Sequence, residues 1–553
     1  MVKRRFDVRM PMRDGIELSA DVWLPAAPNR YPVILMRTPY LKTMERLRFT
    51  ELGEYFASRG YILAVQDVRG RGDSDGTFGF HLVDAEDGYD TVEWLASQLW
   101  SNGRVGMMGV SYLGAVQWLA ARGRPPHLVC IAPTAPGGLD VVFNYQGGAF
   151  LMGWALPWTN LVSGRIYQDG NTVGVDWNQV YTHRPLLTMD EAMGRLMPLY
   201  RDFVEHPDHD PHWEELHFGP EVFEKIDLPA LHVAGWFDGD QPAAMHYWRG
   251  MAAHSPASEK QYLLLGPWTH EQAFLGGGVR LGEMEFSGDS VVDMRALHLA
   301  FFDHYLKGAT PSFEFPRARI YVTGDNRWRD FDEYPPAETQ VRQLYLHGGG
   351  RANSLLGDGR LSWDGPDDEP PDRYTYDPRN PVPSALNGED LPLDHRPIER
   401  RDDVLVYTSD VLAERLEVIG QIVVELYAAS DCLDTDFTAK ILDVYPDGRA
   451  VKLGTLPVGV VRARYRNGDE SSEFLNPEKA EQYRIQLFDL AHTFLPGHRV
   501  RIEISSSAFP FIAPNQNTGN PIPTDTEWSV AHQTVYHDRD HPSHVTLPIM
   551  PNL

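Results

Sequence analysis

The N-terminal third of the chain alternates short apolar runs with stretches of helical periodicity, and this alternation limits the possible folds more than any other feature. The apolar runs are rich in β-branched residues and span 17–24, 31–36, 61–67, 105–110 and 128–132. Between the third and fourth runs, Val92, Leu95 and Leu99 recur at three- and four-residue steps, which is typical of an amphipathic helix. Strands that alternate with such helices predict a parallel α/β sheet.

A segment without clear strand patterns interrupts this alternation. It contains many glycine and proline breaks and a helical pattern over 189–206. Strand patterns resume at 229–236 and 261–266, and a further helical pattern covers 291–306. We therefore expect an α/β core in two parts and a helical cap insertion, with the boundaries 1–137 for the first part, 138–225 for the insertion and 226–317 for the second part.

The remaining residues, 318–553, have a different texture. Short alternating runs are separated by turn residues, and they lie at 320–323, 341–346, 404–408, 416–428, 437–444, 499–506 and 544–549. Repeated short strands of this kind predict a β-sandwich.

Composition excludes several classes of protein. The 553 residues include 50 Lys and Arg against 77 Asp and Glu, so the net charge is −27. This charge repels phosphate backbones, and we expect no nucleic-acid partner. No apolar run approaches the roughly 20 residues of a membrane span, so we expect no membrane association.

The cysteines and the N-terminus bear on the compartment. Cys130 and Cys432 are the two cysteines, and they cannot form a disulfide framework or a zinc ligand set. Residues 1–6 carry three basic side chains but no apolar segment or small-residue cleavage site. We expect a cytoplasmic protein.

The fourth apolar run leads through G-V-S-Y-L-G, residues 109–114, into a helical stretch. A strand, a sharp turn and a helix in this order present a nucleophilic serine, here Ser111, at the tip of the turn. Gly109 leaves room for the turn, and the N–H of Tyr112 at the helix N-terminus is placed to bind an oxyanion. Leu113 stands where the common G-x-S-x-G pattern has its second glycine.

A nucleophilic serine needs a histidine base and a carboxylate that orients it, and in this fold class they follow in the order Ser, Asp, His. Asp238 directly follows one predicted strand, and His270 follows the next. Because the carboxyl ends of parallel strands share one sheet edge, the sequence predicts that Ser111, Asp238 and His270 converge. Taken singly, each residue fits a structural role equally well.

These segments resemble the family of cocaine esterase, α-amino-acid ester hydrolases, glutaryl acylases and X-Pro dipeptidyl peptidases. The resemblance spans nearly the whole chain and includes D-V-R-G-R-G-D-S-D-G at 67–76 and D-T-D-F-T-A-K at 434–440. In that family the glycine one position later, as Gly114 is, is the usual form. The resemblance implies an α/β-hydrolase core with a helical cap insertion and a C-terminal, jelly-roll-like β-sandwich.

The resemblance also implies the roles of single residues. Ser111 would be the nucleophile, His270 the general base and then acid, and Asp238 the residue that orients it. A second oxyanion donor is expected from the tyrosine of an R-x-P-Y turn, which Tyr40 matches in R-T-P-Y at 37–40. The oxyanion hole would thus combine the Tyr40 hydroxyl with the Tyr112 N–H. This chemistry requires no metal and no organic cofactor.

A substrate pocket is expected beneath the cap insertion. Its candidate residues are Phe150, Trp154, Trp158, Phe237 and Asp240. Asp240 lies two residues past the triad acid, where α-amino-acid ester hydrolases carry a carboxylate, and we hypothesise that it binds a substrate ammonium group. Its position also fits a helix N-cap, and the aromatic residues also fit an ordinary core.

The predicted function is hydrolysis of a carboxylic ester or an amide through an acyl-enzyme on Ser111. An X-Pro dipeptidyl peptidase is the alternative within the hydrolases. An inactive hydrolase scaffold with a ligand-binding β-sandwich is the alternative from another class. We expect a small-molecule ester or amide as the partner, and a homodimer as the default assembly.

Overall fold

A ten-stranded mixed sheet forms the core of the first half of the chain. The computed structural model describes residues 2–139, 143–309, 313–384, 391–454, 459–468 and 472–551. The first strands of the sheet are β1 (Lys3–Pro11), β2 (Glu17–Leu24), β3 (Tyr31–Thr38), β4 (Ile62–Asp67), β5 (Ser101–Val110) and β6 (Leu128–Thr134). The helices between them are α1 (Phe49–Ala57), α2 (Asp84–Ser97) and α3 (Tyr112–Gly123). The five predicted strands coincide with β2 to β6, and the predicted amphipathic helix overlaps α2.

The burial of these elements explains their sequence patterns. All six residues of β4 are buried, as expected for a parallel strand covered on both faces. Helix α2 buries Val92 and Leu95 against the sheet and carries three acidic residues in its first turn, where they complement the helix dipole.

The insertion is mainly helical. Its elements are β7 (Tyr145–Gln146), β8 (Ala149–Phe150), α4 (Met152–Val162), α5 (Trp177–Thr182), α6 (Met189–Ala192), α7 (Pro198–Glu205), α8 (Pro211–Glu214) and α9 (Pro220–Phe223). The single helix expected over 189–206 is wrong, because Gly194 adopts a φ of 77° and Pro198 starts a new helix.

The core then resumes, as expected. Its further elements are β9 (Ala230–Phe237), α10 (Gln241–His254), β10 (Gln261–Thr269), α11 (His270–Leu275), β11 (Arg280–Leu281), β12 (Met284–Glu285), α12 (Met294–Lys307), β13 (Ala318–Val322) and β14 (Arg327–Phe331). The strand order of the large sheet is β1-β2-β4-β3-β5-β6-β9-β10-β13-β14. The strands from β4 to β13 in this order are parallel to their neighbours, so their carboxyl ends share one edge.

One strand was assigned to the wrong sheet. The run 320–323 was expected in the β-sandwich, but Ala318 and Ile320 of β13 pair in parallel with Leu263 and Leu265 of β10. Strand β14 adds antiparallel to β13, so the core sheet extends beyond residue 317, where we expected the core to end. The other domain boundaries remain a proposal.

A second, mostly antiparallel sheet of twelve strands follows. Its strands are β15 (Gln340–His347), β16 (Arg360–Ser362), β17 (Asp372–Tyr376), β18 (Leu405–Ser409), β19 (Leu416–Ser430), β20 (Asp436–Val444), β21 (Ala450–Lys452), β22 (Gly459–Arg462), β23 (Glu481–Phe494), β24 (Arg499–Ser505), β25 (Ala531–Tyr536) and β26 (His544–Ile549). The long strand β19 pairs with β23, β25 and β26. The jelly-roll-like arrangement of these strands stays a prediction.

The helices of the described residues are short. The longest, α2, α10 and α12, have 14 residues each. A bilayer span needs about 20 residues. None of the described helices is therefore long and apolar enough to cross a membrane.

Two buried ion pairs organise the D-T-D segment before β20. Arg462 binds Asp436 through two hydrogen bonds of 2.9 and 3.0 Å, and both side chains are almost fully buried. Arg464 binds both oxygens of Asp434, through its Nε at 2.7 Å and through its backbone N–H at 3.0 Å. Such bidentate pairs in a low dielectric hold β22 against β20 and its preceding turn.

Replacing Arg462 tests this role. Arg462→Met should lower the free energy of unfolding by about 3–5 kcal/mol, because Asp436 is then left buried without its counter-charge. Arg539→Met is the matched control, since it breaks an exposed pair with Asp367 and should cost about 0–1 kcal/mol. The measurement is the denaturant midpoint of both variants, and equal midpoints would contradict the account.

Candidate active site

Ser111 stands on a strained turn between β5 and α3. Its backbone has a φ of 63° and a ψ of −129°, a conformation that residues with a side chain rarely adopt. Its N–H donates to the carbonyl oxygens of Thr134 and Ala135, both at 3.1 Å. These bonds fix the turn at the carboxyl edge of the sheet, where the sequence predicted it.

Two glycines permit this turn. A Cβ on Gly109, whose φ is 148°, would lie 2.5 Å from the Cβ of Leu113. A Cβ on Gly114 would lie 3.0 Å from the carbonyl oxygen of Thr134 on the neighbouring strand. Gly114 therefore allows the close approach of helix and sheet, while Leu113 belongs to the buried core.

Tyr40 brings a hydroxyl group to the nucleophile. It follows strand β3, and it lines the same cavity as Ser111. The indole Nε1–H of Trp158 donates to the Tyr40 oxygen at 2.9 Å, which leaves the phenolic proton free to be donated. Burial raises the pKa of Tyr40 to about 12, so the hydroxyl keeps its proton at neutral pH.

Tyr112 supplies a main-chain donor beside Ser111. It is the first residue of α3, so its N–H has no acceptor within the helix. Its side chain points away into the core, where the hydroxyl hydrogen-bonds Asp84. Of the two predicted oxyanion donors, Tyr112 thus directly follows Ser111, and Tyr40 lines the same cavity as Ser111.

Asp238 and His270 meet as predicted. Asp238 follows β9, His270 begins α11 after β10, and His270 Nδ1 lies 3.0 Å from Asp238 Oδ1. Asp238 is buried, and His270 is partly exposed to the cavity. The pair can therefore orient the imidazole and stabilise its charged form. Among the described residues, the hydrogen bonds of His270 do not include one to Ser111, although both residues line the same cavity.

Asp240 adds a second carboxylate to this pair. Its Oδ2 lies 3.6 Å from His270 Nδ1, and its N–H donates to Asp238 Oδ1 at 2.9 Å. Asp240 occupies the N-cap position of α10, yet its side chain makes no capping hydrogen bond. Its Oδ2 is buried without a hydrogen-bond partner among the described residues, and it lines the cavity. Capping therefore does not account for this carboxylate.

The two acids and the histidine influence each other. Burial, reinforced by the charge of Asp238, raises the pKa of Asp240 to about 7, although His270 opposes the shift. Burial alone would lower the pKa of His270, but the charges of Asp238 and Asp240 outweigh it and raise that pKa to about 9. The carboxylates of Asp238 and Asp240 therefore favour a positively charged group beside them.

The site opens into a cavity of about 1560 Å³. The walls of this cavity come from the α/β core, the cap insertion and the domain that contains the twelve-stranded sheet, here called the second domain. Residues of the second domain that line the cavity include Val460, Tyr465, Arg484, Gln486, Leu487, Phe488, Asp489 and Phe511. The predicted pocket residues Trp154, Trp158 and Phe237 line it. Trp154 packs edge-on against the ring of His270, with ring centroids 6.4 Å apart.

Phe150 is not brought to the cavity. Its side chain is fully buried and packs against the rings of Tyr145 and Tyr200. The hairpin of β7 and β8 turns this ring into the hydrophobic core of the cap, away from the catalytic groups.

The sequence patterns did not predict the buried charges behind the site. Arg37 forms an ion pair with Asp84 at 3.0 Å, and both side chains are buried. Arg71 donates to the carbonyl oxygen of Pro39 at 2.7 Å and to that of Val162, at the end of α4, at 2.8 Å. The R-T-P-Y and D-V-R-G-R-G-D-S-D-G motifs contain both arginines, and the apolar run V-I-L-M directly before Arg37 was a signal for the burial of that residue.

Two groups of described residues combine metal-ligand types within 4.8 Å of one another. One is Asp238, Asp240 and His270, in which His270 Nδ1 is already bound to Asp238. The other is Asp202, His206 and His212 in the cap.

A serine on a strained strand-to-helix turn, with an Asp–His pair at the same edge of a parallel sheet, defines a serine hydrolase with an α/β-hydrolase core. Residues 14–272 match the X-Pro dipeptidyl-peptidase (S15) family, and residues 313–546 match the X-Pro dipeptidyl-peptidase C-terminal non-catalytic domain. The chain belongs to the cocaine esterase, α-amino-acid ester hydrolase and X-Pro dipeptidyl-peptidase family of serine hydrolases. It is a serine ester hydrolase.

Individual relatives cover almost the whole chain. Cocaine esterase of Rhodococcus sp. (strain MB1 Bresler) is 35% identical over 577 residues, which is 98% of each chain. An aminopeptidase from the marine sediment archaeon Thaumarchaeota archaeon has a TM-score of 0.89 at 28% identity, covering 100% of this chain and 97% of its own. An α-amino acid ester hydrolase has a TM-score of 0.86 at 27% identity, covering 99% and 96%.

The raised pKa of His270 predicts the pH dependence of ester hydrolysis. A base must be neutral to accept a proton, so kcat/KM should rise with pH through about 9. Asp240→Asn removes a negative charge that favours imidazolium, so the rise should move to lower pH. Asp332→Asn, at an exposed position, is the control and should leave the profile in place. An unchanged profile in Asp240→Asn would contradict the coupling.

Proposed function

We propose that Ser111 is the nucleophile, His270 the general base and then acid, and Asp238 the residue that orients the imidazole. The observation that carries this proposal is the convergence of Ser111, the Tyr40 hydroxyl and the Asp238–His270 pair on one cavity. The oxyanion donors would be the Tyr40 hydroxyl and the Tyr112 N–H.

The mechanism follows from these positions. Ser111 Oγ attacks the ester carbonyl while His270 takes its proton, and the oxyanion forms between the two donors. His270 returns the proton to the leaving alcohol as the acyl-enzyme forms. Water, activated at His270, then attacks the acyl-enzyme and releases the acid. Because Trp158 donates to the Tyr40 oxygen, the Tyr40 O–H is oriented before the substrate arrives.

Two substitutions test these roles. Ser111→Ala should abolish turnover and labelling by a fluorophosphonate without changing the unfolding midpoint. Tyr40→Phe should lower kcat by about 10²–10³, the cost of one oxyanion donor, while the fluorophosphonate still labels Ser111. The measurements are steady-state kinetics with an activated ester and labelling followed by mass spectrometry. Near-normal turnover in either variant would refute the role of that residue.

We propose further that Asp240 binds a positively charged amino group of the substrate. Its carboxylate is buried and uncapped, faces the cavity and lies beside the catalytic histidine. A substrate ammonium group there would compensate a charge that otherwise is costly to bury. The similarity to an α-amino acid ester hydrolase and to an aminopeptidase supports the same substrate class.

Paired substrates test this specificity. The wild type should have a higher kcat/KM for an α-amino ester than for its des-amino analogue, by about 10–100-fold for a buried ion pair. Asp240→Asn should remove most of this preference while still hydrolysing the analogue, with each variant assayed at its own optimal pH. Equal kcat/KM values for the two esters in the wild type would exclude Asp240 from substrate recognition.

An X-Pro dipeptidyl peptidase is the second candidate function, and the carboxylate of Asp240 also supports it. A free peptide N-terminus carries the ammonium group that Asp240 would bind, and the chain matches the S15 family over residues 14–272. X-Pro amides assayed beside the amino esters distinguish the two activities.

Compartment and assembly complete the proposal. We propose a cytoplasmic protein without nucleic-acid partners, supported by two buried free cysteines and a net charge of −27. We propose a homodimer as the assembly, to be tested by light scattering.

A further inference from the structure

A cluster of imidazole and carboxylate groups lies in the cap, outside the catalytic centre. Asp202 belongs to α7, His206 directly follows that helix, and His212 lies in α8. The rings of His206 and His212 stack with their centroids 4.1 Å apart. One possible ligand atom from each of the three residues lies within 4.8 Å of the other two. The catalytic mechanism uses none of these residues.

The spacing of these atoms suits a metal ion. His212 Nε2 lies 3.3 Å from Asp202 Oδ2. In a tetrahedral zinc site with bonds of about 2.0–2.1 Å, neighbouring ligand atoms are about 3.3–3.4 Å apart. His212 and Asp202 therefore already have the separation of two ligands on one ion. The possible ligand atom of His206 lies within 4.8 Å of both, and the two stacked imidazole rings must rotate for their nitrogens to face one ion.

A second carboxylate orients His206. Asp210 Oδ2 lies 2.7 Å from His206 Nδ1, so Nε2 is the nitrogen left to bind an ion. The other oxygen of Asp210 accepts the backbone N–H of His212 at 2.9 Å, which starts α8. Carboxylates that hold the far nitrogen of a ligand histidine are the usual outer shell of protein metal sites.

The charge of the cluster also favours a cation. Among the described residues, Asp202 and Asp210 form ion pairs only with His212 and His206, and with no lysine or arginine. With both imidazoles neutral, the two carboxylates carry a charge that one divalent ion balances. The three ligand side chains are 23–41% exposed, so an ion can enter from solvent.

We propose that Asp202, His206 and His212 bind one divalent transition-metal ion such as Zn²⁺, with Asp210 holding His206 in place. Two imidazole nitrogens and one carboxylate oxygen form a ligand set typical of zinc, with a fourth position left for water. The ion would fasten the end of α7 to α8. Pro207 and His209, in the connection between these helices, line the active-site cavity, so the ion would stabilise part of its wall.

The test uses the full-length chain without a histidine tag, stripped of metal by a chelator. Calorimetric titration with Zn²⁺ should show one site per chain, and Co²⁺ should give the visible absorption of a four-coordinate ion. Zn²⁺ should also raise the Tm. His206→Gln and His212→Gln should abolish the site, and Asp210→Asn should weaken it by about 10–100-fold, the usual effect of losing an outer-shell partner.

His127→Gln is the matched control. His127 forms the same kind of pair with a carboxylate, Glu93, at 2.7 Å, but among the described residues it belongs to no group of three possible metal ligands. This variant should bind Zn²⁺ as the wild type does. Far-ultraviolet circular dichroism of each metal-free variant separates loss of the site from loss of the fold. The proposal is overturned when the wild type shows no stoichiometric binding, or when His206→Gln and His212→Gln, both folded, bind Zn²⁺ unchanged.

Discussion

The left-handed turn at Ser111 is the constraint on which the active site depends. A backbone in such a conformation costs about 1–3 kcal/mol, and it persists only where the surroundings leave no alternative. Here the N–H of Ser111 is bound by two carbonyl oxygens of the β6 edge, and Gly109 and Gly114 remove the atoms that would obstruct the turn. This turn places Ser111 at the sheet edge, and α3 begins at the next residue.

Buried charges connect this turn to the remaining catalytic groups. Asp84 forms an ion pair with the guanidinium of Arg37, which belongs to β3, the strand that leads to Tyr40. It also accepts a hydrogen bond from the hydroxyl of Tyr112, the first residue of α3. One buried carboxylate thus links the chain segments that carry both proposed oxyanion donors. Desolvation by burial raises the pKa of Asp84, but the charge of Arg37 and the hydrogen bonds from His81 and Tyr112 outweigh it and hold this pKa below its usual range. The second domain also holds a segment of the site in place. The side chain of Gln241, next to Asp240, forms two hydrogen bonds with the backbone of Asp489 in that domain.

The sequence allowed the placement of Ser111, Asp238 and His270 to be predicted because each follows a strand of strong pattern, and parallel strands end at one edge. It did not place β13, because its pairing with β10 spans more than fifty residues and leaves no trace in local periodicity. The sequence could not place the ring of Phe150, because Phe150 lies in a hairpin of two two-residue strands that is too short to show a pattern. From the sequence, Asp240 fits the role of a helix N-cap and the role of a substrate-binding group equally well. The structure distinguishes these roles because the Asp240 side chain makes no capping hydrogen bond.

A crystal structure of the fluorophosphonate adduct tests the proposed nucleophile and oxyanion hole together, since its phosphoryl oxygen imitates the oxyanion. We expect phosphorus bonded to Ser111 Oγ and the phosphoryl oxygen about 2.7–3.1 Å from both the Tyr40 hydroxyl and the Tyr112 nitrogen. His270 Nε2 should lie within hydrogen-bonding distance of Ser111 Oγ or of the alkoxy oxygen on phosphorus. A phosphoryl oxygen directed away from Tyr40 and Tyr112, or an imidazole out of reach of the adduct, would contradict this proposal.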